Sequence, residues 1–387
     1  MVDEKLNQKV RELLEGQVKS GRQIGTQVAA YRYGKLLVDA WAGTMGPRDP
    51  RPVQADTLFP SFSTTKGVAA TALHVLADRG VIDYEAPVAK YWPAFAQNGK
   101  ERITVSQAMS HQAGLHAMPR PMRADFVCDW SAGLRWMEES APAWEPGTAT
   151  GYHAITWAWI AGGIIQYASG RHVSEVVEEE IARPLGVSGD MYIGVPAGVE
   201  PRLASLLEAG PVVEAAAAQR AGVTPDSDFA RAMPTDHDFS WNDMRLRQAC
   251  VPSANGHFTA RALARMYGAL ANGGEIDGVR LVTPERVREM QRIVTNAPDR
   301  VLLGWPLRKG IGYFMGGKTN GVHGAMGPRE TAFGHPGAGG SVAFADPEVG
   351  LSIAVTINRM YQEMVDPGPD PAFEVCELIR NELGVNG

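Results

Sequence analysis

The 387-residue sequence contains only three cysteines, Cys128, Cys250 and Cys376. Because they are odd in number and widely spaced, they provide neither a disulfide framework nor a CxxC pair for metal binding or redox chemistry. The nine histidines include no HExxH motif, and His111 and His116 are five residues apart, which does not place them on one helical face. These patterns argue against a metal site, and we expect three reduced thiols.

Long apolar runs and clusters of positive charge are also missing. No segment approaches about 20 uninterrupted apolar residues, and the first residues alternate in charge where a secretory signal would be apolar. We therefore expect a cytoplasmic protein with no membrane partner. The formal net charge of −6 and the lack of a Lys/Arg run argue against nucleic acid as a partner.

The overall composition is that of an ordinary folded protein, with 44% hydrophobic and 21% charged residues. Its length predicts either two domains or one large catalytic unit with two lobes.

Strand patterns occur near both ends of the chain. Residues 26–33 and 36–41 flank a two-residue turn and predict an antiparallel hairpin. Residues 341–345 and 351–357 predict a second hairpin, which is followed by a helix near residues 371–383.

The middle of the chain is mainly helical in its patterning. Apolar residues recur every three to four positions in residues 68–76, 157–167, 173–181 and 262–270, whereas residues 191–250 are weakly periodic and predict a covering segment. We therefore expect an α+β fold whose antiparallel sheet comes from both chain ends and is flanked by helices. We expect the chain to form two halves of one catalytic unit: residues 1–62 and 250–387 form the sheet half, and residues 63–249 form the mainly helical half.

Ser63 and Lys66 form the strongest candidate for chemistry. They precede the helix predicted over residues 68–76, so both side chains should lie on one face of its first turn. A serine hydroxyl needs a base to become a good nucleophile, and a lysine can act as that base only when its amine is neutral. Burial and the positive end of the helix dipole both disfavour an ammonium ion.

The bare S-x-x-K pattern is weak evidence, because chance alone produces it roughly once in a chain of this size. Its position at a helix start, and the lack of a second copy in the sequence, strengthen the functional interpretation.

Several further segments give the chain a resemblance to the superfamily of serine β-lactamases, penicillin-binding proteins and carboxylesterases. The resemblance runs nearly end to end and is strongest to the class C β-lactamase-like esterases, known as family VIII. Besides 63–66, the segments that carry it are 103–115, Glu145-Pro146-Gly147 with Tyr152, 183–187 and 333–341.

The resemblance implies roles for residues in two further motifs. Tyr152 stands where the family's Tyr-x-Asn motif has its proton-relaying tyrosine, but Ala154 replaces the asparagine, so the amide recognition of that asparagine is not implied. His335 and Gly337 stand in the third motif, and the backbone N–H groups of Ser63 and Ala338 would form the oxyanion hole. Simpler alternatives are a core aromatic residue for Tyr152 and a loop histidine for His335.

Three rival assignments are weaker. Ser253-Ala254-Asn255 matches a Ser-x-Asn form of the second motif, but it lies between Pro252 and Gly256 and before the helix predicted over residues 262–270, which indicates helix capping or a turn. Lys318-Thr319-Asn320 resembles a Lys-Thr-Gly third motif but has the composition of a loop. His153 could suggest a Ser-His-Asp triad, although adjacent residues project differently and we favour Tyr152.

The function implied by these residues is hydrolysis of carboxylic esters through an acyl-enzyme on Ser63, with Lys66 and Tyr152 as general base and acid and with no cofactor. The sequence contains no Gly-x-Ser-x-Gly elbow, which excludes an α/β-hydrolase esterase. The alternatives on the same fold are a β-lactamase, a D-amino peptidase, an acyltransferase, or a ligand sensor without catalysis.

Overall fold

The computed structural model describes residues 2–208, 222–317, 324–361, 366 and 368–386. The Lys318-Thr319-Asn320 motif, interpreted above as a loop, lies outside these residues.

Within this part of the chain, the strands in chain order are β1 Gly25–Arg32, β2 Lys35–Gly46, β3 Asp49–Pro52, β4 Phe59–Pro60, β5 Met191–Ile193, β6 Gly256–Phe258, β7 Glu275–Ile276, β8 Val279–Arg280, β9 Phe314–Met315, β10 Phe333–Pro336, β11 Val342–Asp346 and β12 Leu351–Ile357. The main sheet has seven of these strands in the order β3-β2-β1-β12-β11-β10-β9. A smaller sheet has the order β4-β6-β5, and β7 pairs with β8.

The helices lie mainly between the strands of the two chain ends. They are α1 Glu4–Lys19, α2 Thr64–Asp78, α3 Val105–Met109, α4 Ala124–Cys128, α5 Trp130–Glu139, α6 Trp157–Ser169, α7 Val173–Val177, α8 Asp228–Ala232, α9 Met244–Gln248, α10 Ala260–Ala271, α11 Pro284–Met290 and α12 Pro371–Glu382. A π-helical turn, Glu178–Ala182, continues α7, so the helix predicted over residues 173–181 is regular only in its first half.

The centre of the main sheet joins the two ends of the chain. Strand β1 pairs antiparallel with β2 and with β12, and Thr26 stands opposite both Ala42 and Ile357. Every residue of β12 is buried, and α10 packs on this strand and on its neighbours β1 and β11. Helix α1 packs on β2. Both predicted hairpins and the α+β class are confirmed, whereas the boundaries given for the two halves remain a prediction.

Helix α2 is the element that connects this sheet to the helical part. All of its residues from Thr64 to Ala77 are buried, including the polar Lys66 and His74, so the helix is surrounded by protein on every side. It packs against β10 on one side and α6 on the other. Its first turn therefore lies between the sheet and the helices, where residues from distant parts of the chain can meet.

Candidate active site

Ser63 is the N-cap residue of α2, one position before the first turn in which the sequence predicts it. Serine is favoured at this position because its side chain usually accepts a hydrogen bond from the helix backbone. Here the side chain makes no such capping bond. The hydroxyl is therefore left to interact with groups outside the helix.

Two side chains contact that hydroxyl. The Tyr152 hydroxyl donates to Ser63 Oγ over 2.8 Å, and Lys66 Nζ lies 3.3 Å from the same oxygen. The structure thus brings together the three residues that the sequence singled out, although Tyr152 is 89 positions from Ser63 along the chain.

Lys66 is fully buried, and its Nζ donates to two backbone carbonyl oxygens. These belong to Ala154, at 2.7 Å, and Ser253, at 2.9 Å. Burial lowers the pKa of the Lys66 amine well below its usual value, because the ammonium form loses its hydration. The geometry and the surroundings therefore suit a neutral amine next to Ser63.

Tyr152 is buried in the segment between α5 and α6, which has no regular secondary structure. Burial raises the pKa of its phenol, and the hydrogen bond to Ser63 opposes this effect only in part. The hydroxyl therefore holds its proton at neutral pH and can donate it. Lys66 Nζ also lies 4.8 Å from the centre of the Tyr152 ring.

His153 and Ser253 are close to the site but their side chains do not contact Ser63. His153 Nδ1 bonds to the Gly151 carbonyl over 2.6 Å, and its Nε2 accepts from the Leu115 N–H over 2.9 Å. The Ser253 hydroxyl donates to the Ile155 carbonyl over 2.9 Å. The predicted turn at residues 253–255 is confirmed, because the N–H of Asn255 reaches back to the Val251 carbonyl over 3.1 Å.

His335 lies in β10 and forms one wall of the site. Its ring stacks on Phe314, with the ring centres 4.3 Å apart, and lies 6.1 Å from the ring of Tyr152. Nδ1 bonds to the Pro336 carbonyl over 2.7 Å. Burial lowers the pKa of His335 well below its usual value, so the ring is uncharged at neutral pH.

The glycine-rich loop after β10 passes directly beside the start of α2. A Cβ added to Gly337 would lie 2.4 Å from the Ser61 carbonyl oxygen and 3.0 Å from the Thr64 hydroxyl oxygen, so only glycine allows this approach. Among the described residues, the backbone N–H groups of Ser63 and Ala338 have no hydrogen-bond acceptor. Both donors are therefore available to a bound molecule.

Two residues that were not predicted, Asp299 and Lys309, form a buried ion pair behind Tyr152, with Lys309 Nζ 2.7 Å from Asp299 Oδ2. No local motif marks either residue, and Asp299 lies 147 positions from Tyr152. A lysine in the apolar neighbourhood of residues 305–315 was the only signal available.

In the described ranges, no group of three or more His, Cys, Asp or Glu side chains could hold a metal ion. No helix in that same part of the chain is long and apolar enough to cross a membrane.

Comparison with known proteins identifies the family. Residues 8–374 match the Beta-lactamase family. The chain is 39% identical over 372 residues to the esterase/beta-lactamase LipL of Mycobacterium tuberculosis, covering 93% of this chain and 83% of LipL.

Two solved structures are similar along almost the whole chain. A family VIII carboxylesterase superposes with a TM-score of 0.86 at 34% identity, covering 97% of this chain and 98% of the other. A penicillin-binding protein homologue from Caulobacter crescentus gives a TM-score of 0.85 at 33% identity, covering 98% of both chains. With this sheet, this central helix and a family match over nearly its full length, the chain belongs to the Beta-lactamase family.

Proposed function

We propose that the protein is a serine carboxylesterase that hydrolyses carboxylic esters through an acyl-enzyme on Ser63. The observation that carries this proposal is that Ser63 Oγ has both Lys66 Nζ and the Tyr152 hydroxyl within 3.3 Å. One group is suited to accept a proton and the other to donate one. The similar family VIII carboxylesterase and the esterase/beta-lactamase LipL support the same reaction class.

Lys66 acts as the general base in this proposal. A neutral amine has two N–H groups and one lone pair. The carbonyls of Ala154 and Ser253 take the two N–H groups, which directs the lone pair toward Ser63 Oγ. The Ser63 proton moves to Nζ as Oγ forms a bond to the ester carbonyl carbon.

The negative charge that develops on the carbonyl oxygen is held by the N–H groups of Ser63 and Ala338. Each donor of this kind contributes about 3–4 kcal/mol in acyl transfer. The bond to the alcohol oxygen then breaks, the alcohol takes the Tyr152 proton, and the Lys66 ammonium restores that proton to the tyrosine. Water attacks the acyl-enzyme by the same route, so that the acid leaves and Ser63 regains its proton.

The substrate class follows from two positions near Ser63. The methyl side chain of Ala154 cannot hydrogen-bond a substrate amide, and the uncharged His335 cannot form an ion pair with a substrate carboxylate. A neutral ester needs neither contact. We propose a small, uncharged ester as the substrate, and a cytoplasmic enzyme that needs neither nucleic acid nor a membrane.

A β-lactamase is the second candidate, because the name of the similar LipL protein includes both activities. It requires the same nucleophile and differs only in the recognition of the substrate.

Labelling with a fluorophosphonate tests the proposed nucleophile. Intact mass spectrometry should show one adduct on the wild-type protein, and peptide mapping should place it on Ser63. Ser63→Ala should abolish both the adduct and ester hydrolysis. Ser61→Ala is the matched control, because that hydroxyl donates to the Phe59 carbonyl over 3.0 Å and has no role in the chemistry. An adduct on Ser253, or full activity of Ser63→Ala, would exclude this mechanism.

A further inference from the structure

The buried ion pair of Asp299 and Lys309 holds the segment that carries Tyr152. Both side chains are 0% exposed, and Lys309 Nζ lies 2.7 Å from Asp299 Oδ2. A buried ion pair is a weak source of stability, because removing two charges from water offsets much of their attraction. Its presence at this position therefore calls for a second explanation.

The Asp299 carboxylate accepts hydrogen bonds from the backbone of Tyr152 and of two nearby residues. Its Oδ1 accepts the Tyr152 N–H over 3.1 Å and also the N–H groups of Val301, at 2.9 Å, and Leu302, at 2.8 Å. One carboxylate thus joins the tyrosine backbone to the turn that begins at Asp299.

Lys309 forms a hydrogen bond with Thr150, which lies two residues before Tyr152 in the same segment. Its Nζ donates to the Thr150 hydroxyl over 3.0 Å, while the Thr150 carbonyl accepts the Arg300 N–H over 2.9 Å. The backbone on the N-terminal side of Tyr152 is therefore attached at two successive points to residues 299–309.

The Tyr152 side chain extends from this attachment to Ser63. Proton transfer requires donor and acceptor atoms within hydrogen-bond reach, about 2.6–3.2 Å, and a misplacement of about 1 Å can lower a rate about 100-fold. The observed distance of 2.8 Å lies within that range. A small shift of the Tyr152 backbone would move the hydroxyl out of it.

We infer that Asp299 and Lys309 are positioning residues that hold the Tyr152 hydroxyl within hydrogen-bond distance of Ser63 Oγ. This inference rests on the proposed function, in which Tyr152 transfers protons. Neither residue touches the reacting atoms, and both act through the tyrosine.

A double-mutant cycle on ester hydrolysis tests the inference. Asp299→Asn keeps an oxygen for the backbone N–H groups but removes the charge that holds Lys309. It should lower kcat by about 10–100-fold and leave KM within about twofold. In a Tyr152→Phe background, which lacks the hydroxyl to be positioned, the same change should lower kcat less than about threefold.

Asp78→Asn is the matched control for a purely structural loss. Asp78 also accepts a backbone N–H, that of Thr283 at 3.0 Å, and pairs with Arg286, but it lies at the far end of α2. This variant should lower the melting temperature without a change in kcat that depends on Tyr152.

Thr150→Val serves if Asp299→Asn does not fold, because valine keeps the shape of threonine and removes only the hydroxyl. That hydroxyl accepts from Lys309 and also donates weakly to the His111 carbonyl over 3.4 Å. The variant should lower kcat about three- to tenfold, again only when Tyr152 is present.

An equal loss with and without the Tyr152 hydroxyl, or a rise in KM at constant kcat, would overturn the inference. Such a result would leave the proposed function intact as long as Ser63→Ala is inactive, whereas an active Ser63→Ala would refute the proposed function itself.

Discussion

Ser253 contacts Lys66 through its backbone and not through its hydroxyl: the Ser253 carbonyl oxygen lies 2.9 Å from Lys66 Nζ. The Ser253 hydroxyl points to the Ile155 carbonyl instead. The Ser-x-Asn sequence at residues 253–255 therefore lies beside the nucleophile without presenting a proton-transfer group to it, and the two candidates for that role can be separated by experiment.

Tyr152→Phe removes only the hydroxyl that bonds to Ser63. We expect kcat for ester hydrolysis to fall by about 10²–10⁴, as for other lost acid–base groups, while Ser253→Ala should have a far smaller effect. Steady-state kinetics of the two variants, prepared in parallel, decide the matter. If Ser253→Ala were the more damaging change, the assignment of Tyr152 would be wrong.

Activity should depend on a neutral Lys66. Burial lowers the pKa of this amine, so its neutral form becomes available at a lower pH than in an exposed lysine, while the protonated form cannot accept the Ser63 proton. The rate should therefore rise from acidic to mildly alkaline pH as the amine loses its proton. Lys66→Arg keeps a positive charge that cannot be removed, and it should be nearly inactive across this pH range.

Lys100→Arg provides the control for a buried lysine. Lys100 is also fully buried and its Nζ also donates to two carbonyl oxygens, those of Glu138 and Ser140. This variant should keep its activity and its pH profile. Substantial activity of Lys66→Arg would mean that Lys66 serves only as a fixed charge.

Esters should be better substrates than β-lactams. The missing contacts at Ala154 and His335 are each worth about 1–3 kcal/mol, which predicts a kcat/KM for β-lactams lower by about 10²–10⁴. The measurement compares a short-chain p-nitrophenyl ester with a chromogenic cephalosporin on one enzyme preparation. Comparable values, or a preference for the cephalosporin, would support the β-lactamase alternative.

Gly67 should tolerate no side chain while Tyr267 keeps its hydroxyl. A Cβ on Gly67 would lie 1.9 Å from the Tyr267 hydroxyl oxygen but 3.2 Å from the ring carbon that bears it. Gly67→Ala should therefore lower the stability by about 1–3 kcal/mol through overpacking. In the described part of the chain the Tyr267 hydroxyl has no hydrogen-bond partner, so Tyr267→Phe should cost little and should recover part of the loss. Thermal unfolding of the two single variants and the double variant measures this, and strictly additive losses would contradict it.

The parts of the fold that follow from sequence are those with long local patterns. Strand β12 has the bounds that its apolar run predicts, residues 351–357. Helix α2 was also predicted, but it extends beyond the predicted residues 68–76 at both ends, because its first turn contains polar residues that do not show the apolar period. The short strands β4 and β9 have two residues each, which is too few for any period to appear. They form because neighbouring strands supply hydrogen-bond partners, and that information lies elsewhere in the chain.

In the candidate site too, the residues that could be predicted are those marked by a local sequence pattern. Ser63 and Lys66 are three positions apart, so helix geometry alone predicts their proximity. Tyr152 and His335 were identified by resemblance of their local motifs to a family. Asp299 has neither advantage, because its contact with Tyr152 depends on the three-dimensional path of two segments without regular secondary structure.

The pairing of β1 with β12 also has a consequence for biosynthesis. The Thr26 hydroxyl donates to the Thr356 carbonyl, 330 residues further along the chain. On the ribosome, β1 and β2 therefore emerge long before the strand that completes their sheet, and contacts of such long range slow folding. Until then the edge of β1 that later pairs with β12 is open, and an unpaired strand edge of this kind favours aggregation with other chains. The wall beside Ser63 is completed only when β10 and its glycine loop are synthesised, so the candidate site is incomplete until the last part of the chain has been made.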